Sequence, residues 1–296
     1  MSIQIFTRAC LCAGVIALCA GATSPAAPAQ QDPDRTTVSF SDPSRPGSLH
    51  LALLTGNIVV KGADVKDVTI ETHARHADTQ HGPGRWRFHG PERPDEDPEE
   101  ESRGLHRLTQ QPALNVEEQD NRMSITVPGF NHPADLEIQV PRRTNLELST
   151  VNGGDIHVEG VEGELEVSNV NGAITLTAVG GSVVAHTVNG KVTAALARVS
   201  AQKPMAFSSL NGAIDLTLPS ATKANLKLQT DNGSAFTDFD LHTLPQSSAS
   251  VAEDTRQSGG RYRLNVNKVI YGTINGGGPD IEVRTFNGNI YVRKAS

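Results

Sequence analysis

Apolar and polar positions along this chain recur in a fixed frame around Asn-Gly pairs. The sixth residue before each such Asn is Leu146, Leu165, Val183, Met205, Leu226, Val269 or Ile281, and it is apolar in every copy. The fourth before is Leu148, Val167, Ala185, Phe207, Leu228, Tyr271 or Val283. Two before stands Thr150, Asn169, Thr187, Ser209, Thr230, Thr273 or Thr285, and directly before comes Val151, Val170, Val188, Leu210, Asp231, Ile274 or Phe286. Only Asp231 breaks that last apolar column. The Asn residues are Asn152, Asn171, Asn189, Asn211, Asn232, Asn275 and Asn287. Beyond the pair alternation resumes, as in Ile174 and Leu176, Val192 and Ala194, Ile214 and Leu216, and Ile290 and Val292. Strand side chains point to opposite faces with period two, so each copy predicts a strand, a corner and a second strand sharing one buried face.

Two all-β architectures fit this pattern. Asn-Gly between alternating apolar runs is a strong hairpin signal, because a type I′ turn needs positive φ at both central residues. That reading gives an antiparallel meander of hairpins. The register favours the other. Steps between successive Asn residues are 19, 18, 22, 21, 43 and 12, so about 20 residues recur. A second glycine corner, Gly163 and then Gly180-Gly181, lies between neighbouring pairs. Copies in one orientation stack as a single-stranded parallel β-helix, a β-solenoid, in which Asn or Thr form ladders. On this reading the seven Asn residues are structural corners, with Asn152 beneath Asn171 and Asn189.

The rest of the chain fits around that repeat. Leu49, Leu51, Leu53 and Leu54, followed by Thr55-Gly56, Ile58 and Val60, match the frame with Thr55 in the Asn place and predict a degenerate first coil. Further strands are predicted at Met123–Val127 and Leu136–Val140. Residues 1–29 have the form of an export signal: Arg8 is the sole charge, Leu11 to Ala20 is a short apolar run, and cleavage motifs place the cut after Ala22 or Ala29. The solenoid domain is then 36–296, interrupted at about 77–104 by a Pro-rich acidic segment that cannot form a regular buried element.

Ile138-x-Val140-Pro141, the Leu-x-Thr-Val-Asn-Gly repeats, Ile214-Asp215-Leu216-Thr217-Leu218-Pro219 and the closing Thr285-Phe286-Asn287-Gly288-Asn289-Ile290 resemble the bacterial β-strand-repeat family of unknown function. Its members are commonly described as candidate adhesins. The resemblance covers roughly residues 36–296 apart from the acidic segment, and implies an exported parallel β-helix with no established activity.

Charge and candidate chemistry narrow this further. The formal net charge is −7, and −8 once Arg8 leaves with the signal, which argues against a nucleic-acid partner. All three cysteines, Cys10, Cys12 and Cys19, lie in the signal, leaving no disulfide and no Cys-based metal site in the mature chain. His73 and His76 are an odd number apart on a predicted strand and face opposite sides, so with His81 beside Gly and Pro they do not converge on a metal. His157 and His186 occupy different places in the frame, and Asp155 and Asp215 do not share a column. Gly-x-Ser-x-Gly and His-Glu-x-x-His are absent. Gly276-Gly277-Gly278-Pro279-Asp280 is only a fragment of a calcium repeat, and reads as a widened corner. Arg85, Trp86, Arg87 and Phe88 are the interaction candidates, because Trp and Arg most often anchor interfaces.

The expectation is therefore an exported, non-enzymatic β-helical scaffold acting on an unknown protein or envelope component. It needs no cofactor, has no transmembrane helix after signal cleavage, and is periplasmic or at the cell surface. A polysaccharide-active β-helix enzyme is the alternative. A third reading is end-to-end self-association, since the last strand ends close to the C-terminus and an uncovered edge invites pairing, with Arg293 and Lys294 read as discouraging it.

Overall fold

The period-two pattern becomes strands wherever it was read. The computed structural model describes residues 35–74, 114–128, 134–243 and 269–295, with the backbone of 251–254 and 262–265. The proposed signal at 1–29, the segment at about 77–104 and His76 and His81 lie outside the described residues.

The first strands are β1 (Arg35–Ser39), β2 (Gly47–Thr55), β3 (Ile58–Ala63), β4 (Asp67–Ala74), β5 (Asn115–Gln119), β6 (Arg122–Thr126) and β7 (Ala134–Pro141). The repeats supply β8 (Thr144–Asn152), β9 (Ile156–Glu159), β10 (Glu162–Asn171), β11 (Ile174–Asn189), β12 (Val192–Val199), β13 (Met205–Asn211), β14 (Ile214–Leu218) and β15 (Ala224–Asn232). Then come β16 (Ala235–Thr237), β17 (His242–Thr243), β18 (Val251–Asp254), β19 (Tyr262–Asn265), β20 (Val269–Ile274), β21 (Asp280–Asn287) and β22 (Ile290–Lys294).

All but β18 and β19 join one 20-stranded mixed sheet, nearly closed into a barrel around a single core. This corrects the expected single-stranded parallel β-helix of about 20 residues per coil. Three observations overturn it. Antiparallel pairs β1–β4, β4–β7 and β5–β6 build one end, and β15–β20 and β17–β20 the other. The parallel strands do not stack in chain order, since β2 lies between β6 and β8. The C-terminal pair β21 and β22 inserts between β13–β14 and β15–β16. The physical reason is degeneracy: copies with the same columns offer the same pairing edge, so the sequence period does not dictate which copy lies on which. The meander fares no better, because strands on either side of a repeated Asn-Gly corner, such as β8 and β9, pair with other strands rather than each other.

Within this sheet the frame holds its register. Asn152, Asn171, Asn189 and Asn211 align strand to strand, followed by Asn287 and then Asn232. Thr55 pairs with Asn152, as its place in the frame predicted. Asn275 leaves the column: with φ 50 it sits in a left-handed turn before β21 and donates to the carbonyls of Ser220 and Thr222 at 3.0 and 2.7 Å. Inward residues from the two sides of the corner meet in the core, for example Phe207, Met205 and Val283 with Ile214, Leu216 and Ile290, all buried.

At the Gly190 and Gly212 corners glycine is required by contact rather than by φ. A Cβ on Gly190 would lie 2.0 Å from the Gly172 carbonyl oxygen, and one on Gly212 would lie 1.9 Å from that of Gly190. Neither glycine has positive φ, so these corners are not type I′ turns. The same carbonyls are satisfied from inside. Thr187 Oγ1 donates to Gly172 O at 3.1 Å, Ser209 Oγ to Gly190 O at 3.0 Å and Thr285 Oγ1 to Gly212 O at 2.9 Å. The Thr or Ser two before these Asn residues is thus buried because its hydroxyl has a backbone acceptor to serve. Asn169 takes this role with its amide, donating to Gly154 O at 2.8 Å, and leaves Oδ1 buried without a partner.

At the end built by β5 and β6, a polar clasp replaces the repeat. Asp120 and Asn121 have φ 55 and 66 and turn β5 into β6. Asn121 Oδ1 accepts the Asp42 amide at 2.6 Å, and Glu118 accepts the Ser41 hydroxyl at 2.7 Å. The Ser44 hydroxyl and then Arg45 pull the Asp42 carboxyl down from 3.8 to about 2, and the Ser41 hydroxyl lowers that of Glu118.

Two outcomes follow from this packing. Gly190→Ala should destabilise the fold by about 3 kcal/mol, because the new methyl meets backbone that cannot rotate away. Gly153→Ala, with φ 62 and nothing near its Cβ, should lose only about 1 kcal/mol of backbone strain. Urea unfolding of the two variants ranks them, and a smaller loss for Gly190→Ala would sink the contact argument. The second outcome concerns pH. A depressed folded-state carboxyl adds stability that is present above its ordinary value and lost as pH falls through the folded one. Thermal midpoints should drop as pH falls from 3.8 toward about 2, and Asp42→Asn should flatten that drop. Superimposable profiles would show that the clasp does not contribute.

Candidate interaction surface

In every copy but the one at Asn275, where Ile274 is buried and Tyr271 exposed, side chains at the −2, −4 and −6 positions of the frame point inward, so the residue directly before the Asn points outward. That column is nevertheless apolar. The registers place Leu54, Val151, Val170, Val188, Leu210 and Phe286 side by side on β2, β8, β10, β11, β13 and β21. Leu54, Val151, Leu210 and Phe286 are 41, 38, 46 and 45% exposed, while Val170 and Val188 are half-buried. Neighbouring strands lie about 4.8 Å apart, so the six side chains form a ridge roughly 24 Å long. Asp231 ends it on β15.

Beside the ridge runs an amide ladder. Asn232 Nδ2 donates to Asn287 Oδ1 at 2.8 Å, Asn287 to Asn211 at 2.8 Å, Asn211 to Asn189 at 2.8 Å and Asn189 to Asn171 at 2.9 Å. Asn171 closes the series on the Val151 carbonyl at 3.3 Å. Each amide carries two donor hydrogens and two acceptor lone pairs, so every member of the ladder keeps capacity for an outside group. On the other side of the ridge the outward residues are Ala52, Ser149, Ser168, His186, Ser208 and Arg284. The apolar strip is therefore bordered largely by small or uncharged groups.

Charges farther out include several ion pairs. Lys227 reaches Glu282 at 2.9 Å, which raises the lysine above its ordinary value. Arg293 and Lys191 both approach Asp215, at 3.0 and 3.6 Å. Glu162 pairs with Arg198 and Glu164 with Lys203. Such exposed pairs contribute little stability each.

Two arrangements resemble catalytic geometry and stop short of it. Ser124, His50 and Glu147 lie in one row across β6, β2 and β8, at an open groove of about 480 Å³, with His50 Nδ1 3.1 Å from Glu147. No hydrogen bond joins Ser124 to His50 among the described residues. His186 Nδ1 lies 2.8 Å from Ser208 Oγ, and the groups in register beyond them are Ser168 and Arg284, with no carboxylate. Both rows sit on hydrogen-bonded strands, whose backbone amides serve the strand ladder. An oxyanion hole needs such donors free and convergent.

The other sequence candidates fall out as follows. Arg85, Trp86, Arg87 and Phe88 lie outside the described residues. Asp155 accepts the Ala173 amide at 2.7 Å, a corner role, and Asp215 is held by its two cations. Gly276 and Gly277, at φ 86 and 83, form a left-handed turn, and Asp280 accepts from Asn225 at 3.0 Å. The final strand β22 is flanked by β14 and β16, so the uncovered last strand expected at the C-terminus is corrected. Arg293 serves Asp215, and Lys294 lies over the Phe239 ring at 5.4 Å. The ridge itself was missed, although its signal stood in the frame: an apolar residue in the outward register of nearly every copy.

No family model matches the chain, and no curated protein matches it. Among solved structures, a candidate cell adhesion protein from Clostridium sporogenes is similar at 11% identity and a TM-score of 0.41, over 89% of this chain and 100% of that one. A candidate adhesin from Bacteroides fragilis is similar at 11% identity and a TM-score of 0.30, over 88% of this chain and 96% of that one. These values assign no residue a role. No helix among the described residues is long and apolar enough to cross a membrane.

Proposed function

We propose that this chain is an exported, non-enzymatic scaffold that works by contact, in adhesion or another cell-envelope interaction. The exposed apolar ridge from Leu54 to Phe286 carries the reading. Exposed hydrophobic residues scattered singly are normal, but a contiguous row marks a contact site. Burying this ridge asks nothing of the partner in the way of charge, and the adjacent Asn amides add hydrogen bonds that orient it. The groups that would have to act in a reaction are instead exposed and paired with cations or with neighbouring side chains, a poor arrangement for acid–base chemistry.

Leu210→Lys combined with Phe286→Lys tests this. Both side chains point outward, so folding stability should change by about 0.5 kcal/mol or less per site. Retention of the purified chain on isolated bacterial envelopes should fall about tenfold, equivalent to about 1.4 kcal/mol of lost contact. Unchanged retention by a folded double variant would remove the ridge from the interaction. Turnover of an envelope glycan that disappears with a single Asp→Ala or Glu→Ala change would overturn the non-enzymatic reading.

A further inference from the structure

We propose that Glu71, His73 and Glu137 form a binding site for a first-row divalent cation, with zinc the best fit to their donors. The antiparallel pairing of β4 with β7 sets Glu71 directly opposite Glu137. His73 follows two residues later on the same face of β4. One donor atom from each of the three lies within 4.8 Å of the others. Ligands about 2.1 Å from zinc are separated by up to roughly 4 Å, so small side-chain rotations close the set.

The contacts of the three groups leave donor atoms available. Lys61 Nζ engages Oε1 of Glu137 at 2.5 Å, and Arg35 Nε lies 3.5 Å from Oε1 of Glu71. Each carboxylate keeps its second oxygen. His73 is exposed and has no hydrogen bond or ion pair among the described residues, so its ring nitrogens are open to a ligand. Two carboxylates directly opposite on paired strands repel one another. The two cations relieve that repulsion from the outside, and a divalent ion between the free oxygens would relieve it from within.

One imidazole nitrogen with two carboxylate oxygens is a borderline donor set. It suits zinc and its first-row neighbours, whereas calcium and magnesium favour all-oxygen sites. Three protein ligands leave a fourth zinc position for water or for a group presented by another molecule. Reading the chain alone paired His73 with His76 and found that they diverge. One partner, Glu71, stands two residues away on the same strand, and the other, Glu137, comes from β7, some sixty residues away. Neither β4 nor β7 carries a ridge residue, so this site stands apart from the proposed contact surface.

The test is calorimetric titration of the full chain, carrying no polyhistidine tag and stripped with chelator, using zinc chloride as the probe. Wild type should show one saturable equivalent, retained in His186→Ala. His73→Ala should lose it, and Glu137→Gln should weaken it at least about tenfold. Circular dichroism establishes that each variant is folded, and Glu71→Gln, with the same expected weakening, replaces any that is not. Absence of a saturable equivalent in wild type, or the same isotherm in wild type and His73→Ala, overturns the proposal. Loss of envelope retention in the ridge variant with zinc uptake intact would separate the two surfaces experimentally.

Discussion

The close approach of backbone to backbone at the Asn-Gly corners is the constraint on which the rest of this structure depends. From Gly154 through Gly172, Gly190 and Gly212, each corner leaves no space for a Cβ beside the carbonyl of the strand below. At Gly172, Gly190 and Gly212 that proximity forces glycine, and it also sets what must stand three residues earlier. The carbonyl that crowds the glycine still needs a donor, and an inward Thr, Ser or Asn supplies it. A buried hydroxyl without such an acceptor would be costly, and here each has one. The polar member of an otherwise apolar inner face is thus a consequence of corner geometry.

The same constraint shapes the outer surface. Because the inward triplet alternates, the residue between the buried hydroxyl and the Asn has to face outward. Asn then lies directly above its counterpart, where amide bonds amide from Asn171 to Asn232. Ridge and ladder are therefore two adjacent columns produced by one repeat. The apolar character of the ridge is not demanded by this packing, since Asp231 occupies the same place on β15 without disturbing the register. A column that tolerates Asp yet is Leu, Val or Phe on six strands is better explained by what touches it than by the fold.

The ends of the stack obey different rules. Repeating strands present open edges, and the chain closes them with antiparallel pairings: β1, β4, β5 and β6, whose sequences lie outside the Asn-Gly frame, at one end, and β17 with β20, itself a frame copy, at the other. These are also where individual chemistry appears. The Asp42 and Glu118 clasp and the Glu71, His73 and Glu137 cluster both involve strands that do not carry the Asn-Gly corner. A repeat copies one environment many times, whereas an end brings together side chains that no period relates.

Much of this was legible in the chain. The strands, most of their inward residues, the alignment of Asn152, Asn171 and Asn189, and the place of Thr55 follow from period-two alternation counted back from Asn-Gly, because that alternation is a local property of extended backbone, although β20 turns Tyr271 outward and Ile274 inward. The order of the strands was not legible. Columns that match one another equally well cannot say that β21 stacks on β13 or that β2 lies between β6 and β8. Asn275-Gly276 carries the same dipeptide as its relatives, yet turns left-handed and leaves the column. Its role is decided by the Ser220 and Thr222 carbonyls it reaches. The cluster at Glu71, His73 and Glu137 exists only through the antiparallel seam of β4 and β7. Local backbone geometry thus wrote the repeat into the sequence, while the choice among equivalent edges, and every group that two distant strands share, was made by packing the whole chain around one core.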